Sequence, residues 1–388
     1  MICSSIYLVS LFVAIAGSTP IDDVIRDQLS IDSGDRSFVV VNIEQAVNRF
    51  QLWQKYMPRI RPFYPMRTNA NRFLTELYAA IGTGFAVNSK FEIEQLLAQM
   101  VIFSDIIYSN PQKLNGHLKY VHERGVRLTE FDSIGELDKI SQLSPDCQLL
   151  VRLNVNGDSN LRVSQSGHKL TEGAPLSRLP HLLRHAKRLN LTIVGAKFDI
   201  GQNVSDPFAF NLPLMVARKA FDIIEHFDYR SSILNIGGGF VGDTSLDNEL
   251  VAQSFEITHD LIRLFPSSDE RFSQLSIYAE PGEFLTASTF DLVTRVIGRK
   301  AVSTDEDWIY INDGVLQSFS AKLVSFYYSV RILKYMTTFD HFSSFSNPST
   351  TLNLSVAPKS MEELTTQVYL VKVVKAMISL LKMSTCRQ

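Results

Sequence analysis

Three stretches of the chain bring together residue types that can do chemistry. Pro62-Phe63-Tyr64-Pro65-Met66 is an apolar run that ends on Arg67-Thr68-Asn69. A guanidinium stays protonated and delocalised, so Arg67 can pair with a carboxylate or bind an anion but offers no free amine as nucleophile. Ile233-Leu234-Asn235-Ile236 runs into Gly237-Gly238-Gly239. Successive glycines let backbone N–H groups close on an anion, although a tight turn uses the same residues. Ala279-Glu280-Pro281-Gly282-Glu283 ends a third run on carboxylates. Arg67, Asp199 and Glu283 read either as a repurposed pocket of mixed charge or as mutually paired surface charges, and the second reading is preferred. His117, His122, His181 and His185 fall on expected helices. His181 and His185 are spaced to share a face, but no carboxylate or cysteine accompanies them, so they read as solvated residues and not as metal ligands.

The elements that position these residues follow from periodicity. Phe38–Asn42 reads as a strand and residues 44–57 as a helix. From Pro62 onward, short apolar runs at 62–66, 84–87, 106–108, 126–131, 148–154, 192–198, 232–236 and 275–279 alternate with helical stretches. The helices include Arg72–Ala80, Phe91–Met100, Gly135–Leu143, Leu179–Leu189, Leu214–Phe227 and Val251–Phe265. Strand then helix, repeated about eight times, predicts a (β/α)8 TIM-type barrel, with an open doubly wound sheet as the alternative. The glycine-rich turn follows the seventh strand, which favours the barrel. In a barrel, the carboxyl ends of the strands carry the site. After Pro281 strand-like runs at Phe290–Ile297 and Trp308–Asn312 predict a second, mostly β domain. The final segment, Val368–Met383, reads as an amphipathic helix.

Composition excludes several classes. With 388 residues, 45% of them apolar, and a net charge of −2, the chain can bury two domains and shows no basic arm for nucleic acid. Cys3, Cys147 and Cys386 are too far apart for a disulfide framework or a zinc set. Cys147 reads as a small buried side chain. Ile6–Ala16 is an uninterrupted apolar stretch, too short to span a bilayer. It fits the core of a signal peptide, yet residues 1–5 hold no Lys or Arg. Secretion and a divergent start or buried helix stand as alternatives for residues 1–18. Asn190, Asn203 and Asn353 head permissive glycosylation triplets.

The run Pro58 to Asn69 (PRIRPFYPMRTN) resembles the segment of eukaryotic ornithine decarboxylases and antizyme inhibitors that carries the pyridoxal phosphate lysine. Ile233–Phe240 (ILNIGGGF), Ala279–Gly282 and Tyr310–Phe319 (YINDGVLQSF) resemble further family motifs. The resemblance implies a lead-in over residues 19–45 that joins the β domain, a cofactor barrel over 46–283 and a β domain over 284–388 that diverges after about residue 330. It implies that Gly237, Gly238 and Gly239 cradle the cofactor phosphate and that Glu280 binds the ring nitrogen. Arg152, Asn69 and Glu92 stand at further matching positions. A cytoplasmic protein is implied, with an active site built between two subunits.

Against that pattern, almost every other site residue is changed. Arg67 stands at the lysine position. Glu283 stands where an arginine pairs with the phosphate, a charge reversal that costs on the order of ~4 kcal/mol at short range near a surface. Asp199 replaces the ring-stacking histidine, Gln202 a phosphate-binding serine and Ala86 an aspartate. Ser325 falls near the substrate-clamping aspartate, and Thr350 near the catalytic cysteine. The expectation is a pseudoenzyme with no cofactor, the alternative being an active decarboxylase that uses pyridoxal phosphate. Lys119–Gln142 resembles the family segment that contacts antizyme. Lys119, Glu136, Leu137 and Lys139 are its expected partner-binding residues, set against the simpler reading that packing alone keeps this helix, strand and helix.

Overall fold

The computed structural model describes residues 11–15, 20–31, 36–155, 173–301, 307–313, 331–337 and 367–372. Ser325, Thr350, Asn353, Cys3 and Cys386 lie outside them. The chain divides into two compact units, Phe50–Leu285 and the combination of Met1–Arg49 with Thr286–Gln388. Its strands in chain order are β1 (Leu11–Ile15), β2 (Phe38–Asn42), β3 (Ile60–Pro65), β4 (Gly84–Val87), β5 (Ile106–Tyr108), β6 (Leu128–Phe131) and β7 (Gln148–Arg152). They continue as β8 (Thr192–Lys197), β9 (Ile233–Asn235), β10 (Ser276–Ala279), β11 (Phe290–Ala301), β12 (Asp307–Ile311), β13 (Arg331–Thr337) and β14 (Gln367–Lys372).

Strands β3 to β10 close into a parallel barrel, with β10 returning beside β3. Each strand sends one side chain to a common inner layer: Phe63, Ala86, Ile107, Leu128, Leu150, Val194, Ile233 and Tyr278. Side chains alternate along a strand, so the next inward position lies two residues on and forms a second layer nearer the carboxyl ends. The intervening helices start where the sequence supplies caps. Ser89, the N-cap of helix Lys90–Ala98, accepts from the Glu92 amide, and Glu92 Oε2 in turn accepts from the Asn88 amide just before the cap. This local role explains why a glutamate stands at position 92.

The second unit is a six-stranded sheet in the order β1-β2-β11-β14-β13, with β12 also on β11. Helix Ile21–Ile31 lays Ile21, Val24, Ile25 and Leu29 against Phe38, Val40 and Val293. Two expectations change. The apolar amino-terminal stretch contains a strand, not a helix: Leu11–Ile15 runs parallel to Phe38–Asn42. The expected helix from Val368 is a strand at least to Lys372, antiparallel to both β11 and β13. Its Val-Tyr-Leu-Val run has the β-branched and aromatic content that suits a pleated surface. Among the described residues after Pro281 there is also a short helix, Gly282–Thr286, with Glu283 in its first turn.

Candidate functional site at the barrel mouth

Above the apolar layer the barrel carries a polar one. Ser109, Glu130, Arg152, Asn235 and Glu280 each lie two residues beyond an inward apolar side chain of their strand. Lys197 lies three beyond Val194, because β8 has an irregularity of register at this point: Ile193 pairs with Leu149, but Gly195 pairs with Leu150. Such a bulge shifts the alternation by one residue and turns Lys197 inward. Gly195 can sit there because a Cβ would fall 1.8 Å from the Ile233 carbonyl oxygen.

Lys197 is the centre of this layer. Its ammonium is 2.7 Å from Glu280 Oε1 and 2.9 Å from Glu130 Oε2, and it also donates to Ser109 Oγ. Arg152 Nη1 holds the other oxygen of Glu130 at 2.9 Å. Glu280 further accepts from Ser109 Oγ at 3.1 Å and Asn235 Nδ2 at 3.0 Å. From the mouth, Arg67 Nη1 reaches Glu280 Oε2 at 3.1 Å and Nη2 reaches Asp199 Oδ2 at 3.5 Å. The Glu280, Glu130 and Lys197 side chains are fully buried, whereas that of Arg67 is 31% exposed. The chain Asp199–Arg67–Glu280–Lys197–Glu130–Arg152 thus joins three cations to three carboxylates.

Burial works against charge on Glu280, but Lys197 and Arg67 outweigh it and hold the carboxyl well below its usual range. Glu130 is likewise lowered, burial being overcome by Lys197 and then Arg152. Burial opposes the charge of Arg67 too, yet Glu280 and Asp199 raise its guanidinium above the ordinary value. Glu280, Glu130 and Arg67 are therefore ionised near neutral pH.

Gly237 turns the chain above β9 with φ 68°, and a Cβ there would lie 2.3 Å from the Phe198 carbonyl oxygen. This glycine is required by the backbone, whatever it binds. Gly238, Gly239, Arg67, Gln202, Glu280 and Glu283 line one small cavity of about 30 Å³. Ala86 is part of the apolar inner layer with Phe63 and Ile107, so the position has lost its polarity altogether.

The residues foreseen at the mouth are thus brought together: Arg67, Asp199 and Glu280 bond directly, with Gln202, Glu283 and the glycines beside them. Arg67 pairs with Asp199, as the preferred reading has it, and both are half-buried at the mouth, while Glu283 lines the cavity beside them. Arg152 reaches the cluster only through Glu130 and Lys197. Sequence reasoning missed Lys197, Glu130, Ser109 and Asn235. Taking the residue two beyond each inward apolar position would have found all but Lys197.

Two of the expected partner-binding residues face inward. Glu136 and Leu137 are fully buried, because helix Ile134–Leu143 turns them toward the barrel. Glu136 Oε1 pairs with buried Lys113 at 2.9 Å and Oε2 with Lys139 at 2.5 Å. Lys139 also donates to the Lys113 carbonyl, and Lys119 stays exposed. Two of the four histidines do have a carboxylate near them: His185 Nε2 lies 2.6 Å from Asp138, and His122 Nδ1 2.8 Å from Asp146. These pairs join residues distant in sequence. Among the described residues no helix is long and apolar enough to cross a membrane.

Comparison with known proteins places this geometry. Residues 43–287 match the family described as pyridoxal-dependent decarboxylase, pyridoxal binding domain. The chain is 33% identical over 333 residues to ornithine decarboxylase of Neurospora crassa, covering 78% of this chain and 66% of that one. It is 34% identical over 318 residues to the Mus musculus enzyme of the same name, covering 78% and 67%. Antizyme inhibitor 2 of Xenopus laevis is 32% identical over 313 residues, covering 77% and 66%. The chain therefore spans about two thirds of the length of these relatives. In fold it resembles the arginine decarboxylase of Paramecium bursaria Chlorella virus, with a TM-score of 0.78 at 24% identity over 92% of this chain and 96% of that one. The match over the whole barrel and the shared identity have one meaning: the chain belongs to the ornithine decarboxylase and antizyme inhibitor family of pyridoxal-dependent decarboxylases.

Proposed function

We propose that this protein is a non-catalytic member of its family, which works by binding another protein and not by decarboxylating an amino acid. The observation that carries this reading is the pairing of Glu280 with Arg67 at 3.1 Å and Lys197 at 2.7 Å. Pyridoxal phosphate chemistry needs a lysine for the imine and a protein group for the ring nitrogen. Here the amine position is a guanidinium, and both oxygens of the ring carboxylate are taken by internal cations. The cavity at the mouth is lined by Arg67, Gln202, Glu280 and Glu283. Glu283 on its wall adds a negative charge where a phosphate would enter. The residues present do not fit the cofactor. Ornithine decarboxylases among the relatives favour an active enzyme as the second reading, and Arg67 stands against it.

Antizyme is the partner we infer, supported by the likeness to an antizyme inhibitor. Lys119 is the residue of the segment best placed for it, being exposed on helix Asn115–Glu123. Immobilised antizyme is expected to retain the wild-type chain, and Lys119→Glu to weaken retention by up to about tenfold, as reversal of a rim charge does. Failure of the wild type to bind would remove this partner. A cytoplasmic site of action follows from the same family reading. The pairing of Leu11–Ile15 with β2 supports a chain that keeps this segment over one that is secreted without it.

A further inference from the structure

We propose that Lys197, and not Arg67 alone, closes this barrel to pyridoxal phosphate, by occupying the carboxylate that a protonated pyridine ring requires. The proposal rests on the reading that the wild-type chain does not hold the cofactor, and it names the residue responsible.

Three observations carry it. First, Lys197 bridges both carboxylates of the polar layer, Glu130 at 2.9 Å and Glu280 at 2.7 Å. A pyridine N–H donor would meet a carboxylate that already holds a cation on each oxygen, one of them a fully buried ammonium. Second, the two cations on Glu280 differ in freedom. Arg67 comes from the mouth and is 31% exposed, so its guanidinium can swing toward water. Lys197 comes from inside the barrel wall with no exposed surface, and the bulge at Gly195 fixes its direction. Removing the arginine frees one oxygen of Glu280 and leaves the other occupied. Third, the network is already neutral, with Arg67, Lys197 and Arg152 opposite Asp199, Glu280 and Glu130. A protonated ring nitrogen at Glu280 would be a third positive group beside Lys197 and Arg67, and in low-dielectric surroundings that crowding of like charge is disfavoured. Taking away Lys197 removes one positive charge and leaves a place for one.

The test compares Arg67→Lys alone with Arg67→Lys/Lys197→Met and Arg67→Lys/Lys197→Arg, each incubated with pyridoxal phosphate. A bound aldehyde condenses with the amine at position 67 with loss of water, and borohydride reduces that imine to a stable secondary amine. The readouts are the mass of the modified peptide and the rise in unfolding temperature with pyridoxal phosphate. The Lys197→Met double variant is expected to trap the cofactor at position 67 at least tenfold more than Arg67→Lys. The Lys197→Arg double variant is expected to trap no more than Arg67→Lys. If the Met variant is unfolded, Arg67→Lys/Lys197→Met/Glu130→Gln removes an opposite pair of charges and keeps the comparison readable. Trapping by Arg67→Lys alone at the level of the Met variant overturns the proposal, as does a folded double or triple variant that traps nothing. Neither result touches the proposed function, which fails instead if the unaltered chain forms an adduct.

Discussion

Lys197→Met is expected to destabilise the barrel by about 3–5 kcal/mol, the usual cost of removing one partner from a buried ion pair. The methylene stem fits where it did, so the loss is one of charge. Glu280 keeps Arg67, Ser109 and Asn235, and Glu130 keeps Arg152. One negative charge is left uncompensated between the fully buried side chains of Glu130 and Glu280. Removing Glu130 at the same time restores neutrality, so Lys197→Met/Glu130→Gln is expected to recover most of the loss. Urea unfolding of the two singles and the double gives the coupling directly. Near-additive losses would mean that the two side chains do not share a network. Buried ionic layers often contribute little net stability compared with apolar packing, so the double variant can approach the wild type without contradiction.

Acid is expected to unfold this protein by the same route. Glu280 and Glu130 both have folded-state values below the ordinary 4.5 of a glutamate, held down by Lys197 with Arg67 and Arg152 respectively. A carboxyl lowered by folding binds fewer protons in the native state than in the unfolded one. Its stabilisation is complete above the unfolded value and is lost as the pH falls through the folded one. The unfolding temperature is therefore expected to hold between pH 8 and about 5 and to fall steeply below about 4.5, where the unfolded chain begins to take up protons. The Lys197→Met/Glu130→Gln variant, with one of these carboxyls gone and the other less firmly held, is expected to show a shallower fall. Equal slopes in calorimetry would place the acid response elsewhere.

The barrel was legible in the sequence because its strands are short apolar runs separated by helices, a pattern that local physics dictates. Arg67 was legible for the same reason, since the strand before it ends where the apolar run ends. Lys197 was not. Counting alternate residues from Val194 puts Ala196 inside, and only the bulge at Gly195 moves the lysine inward. Glu130, in the run Leu-Thr-Glu-Phe, looks like the solvent side of a strand until Arg152 and Lys197 are known to face it. Glu136 looks like a surface charge of an amphipathic helix, and Lys113 from the preceding loop makes it a buried one. The Val368 segment could be read as helix or strand, because Val-Tyr-Leu-Val-Lys-Val-Val-Lys satisfies both spacings. Pairing with β11 and β13 decides it. In each of these cases the deciding partner is distant in the chain.

The central claim is that the barrel has exchanged its cofactor for internal cations. Adding pyridoxal phosphate to the purified wild-type chain, reducing with borohydride and measuring the intact mass tests it most directly. The account predicts an unchanged mass. A single stoichiometric pyridoxyl adduct on Lys197, or on any other lysine of the barrel, would contradict it.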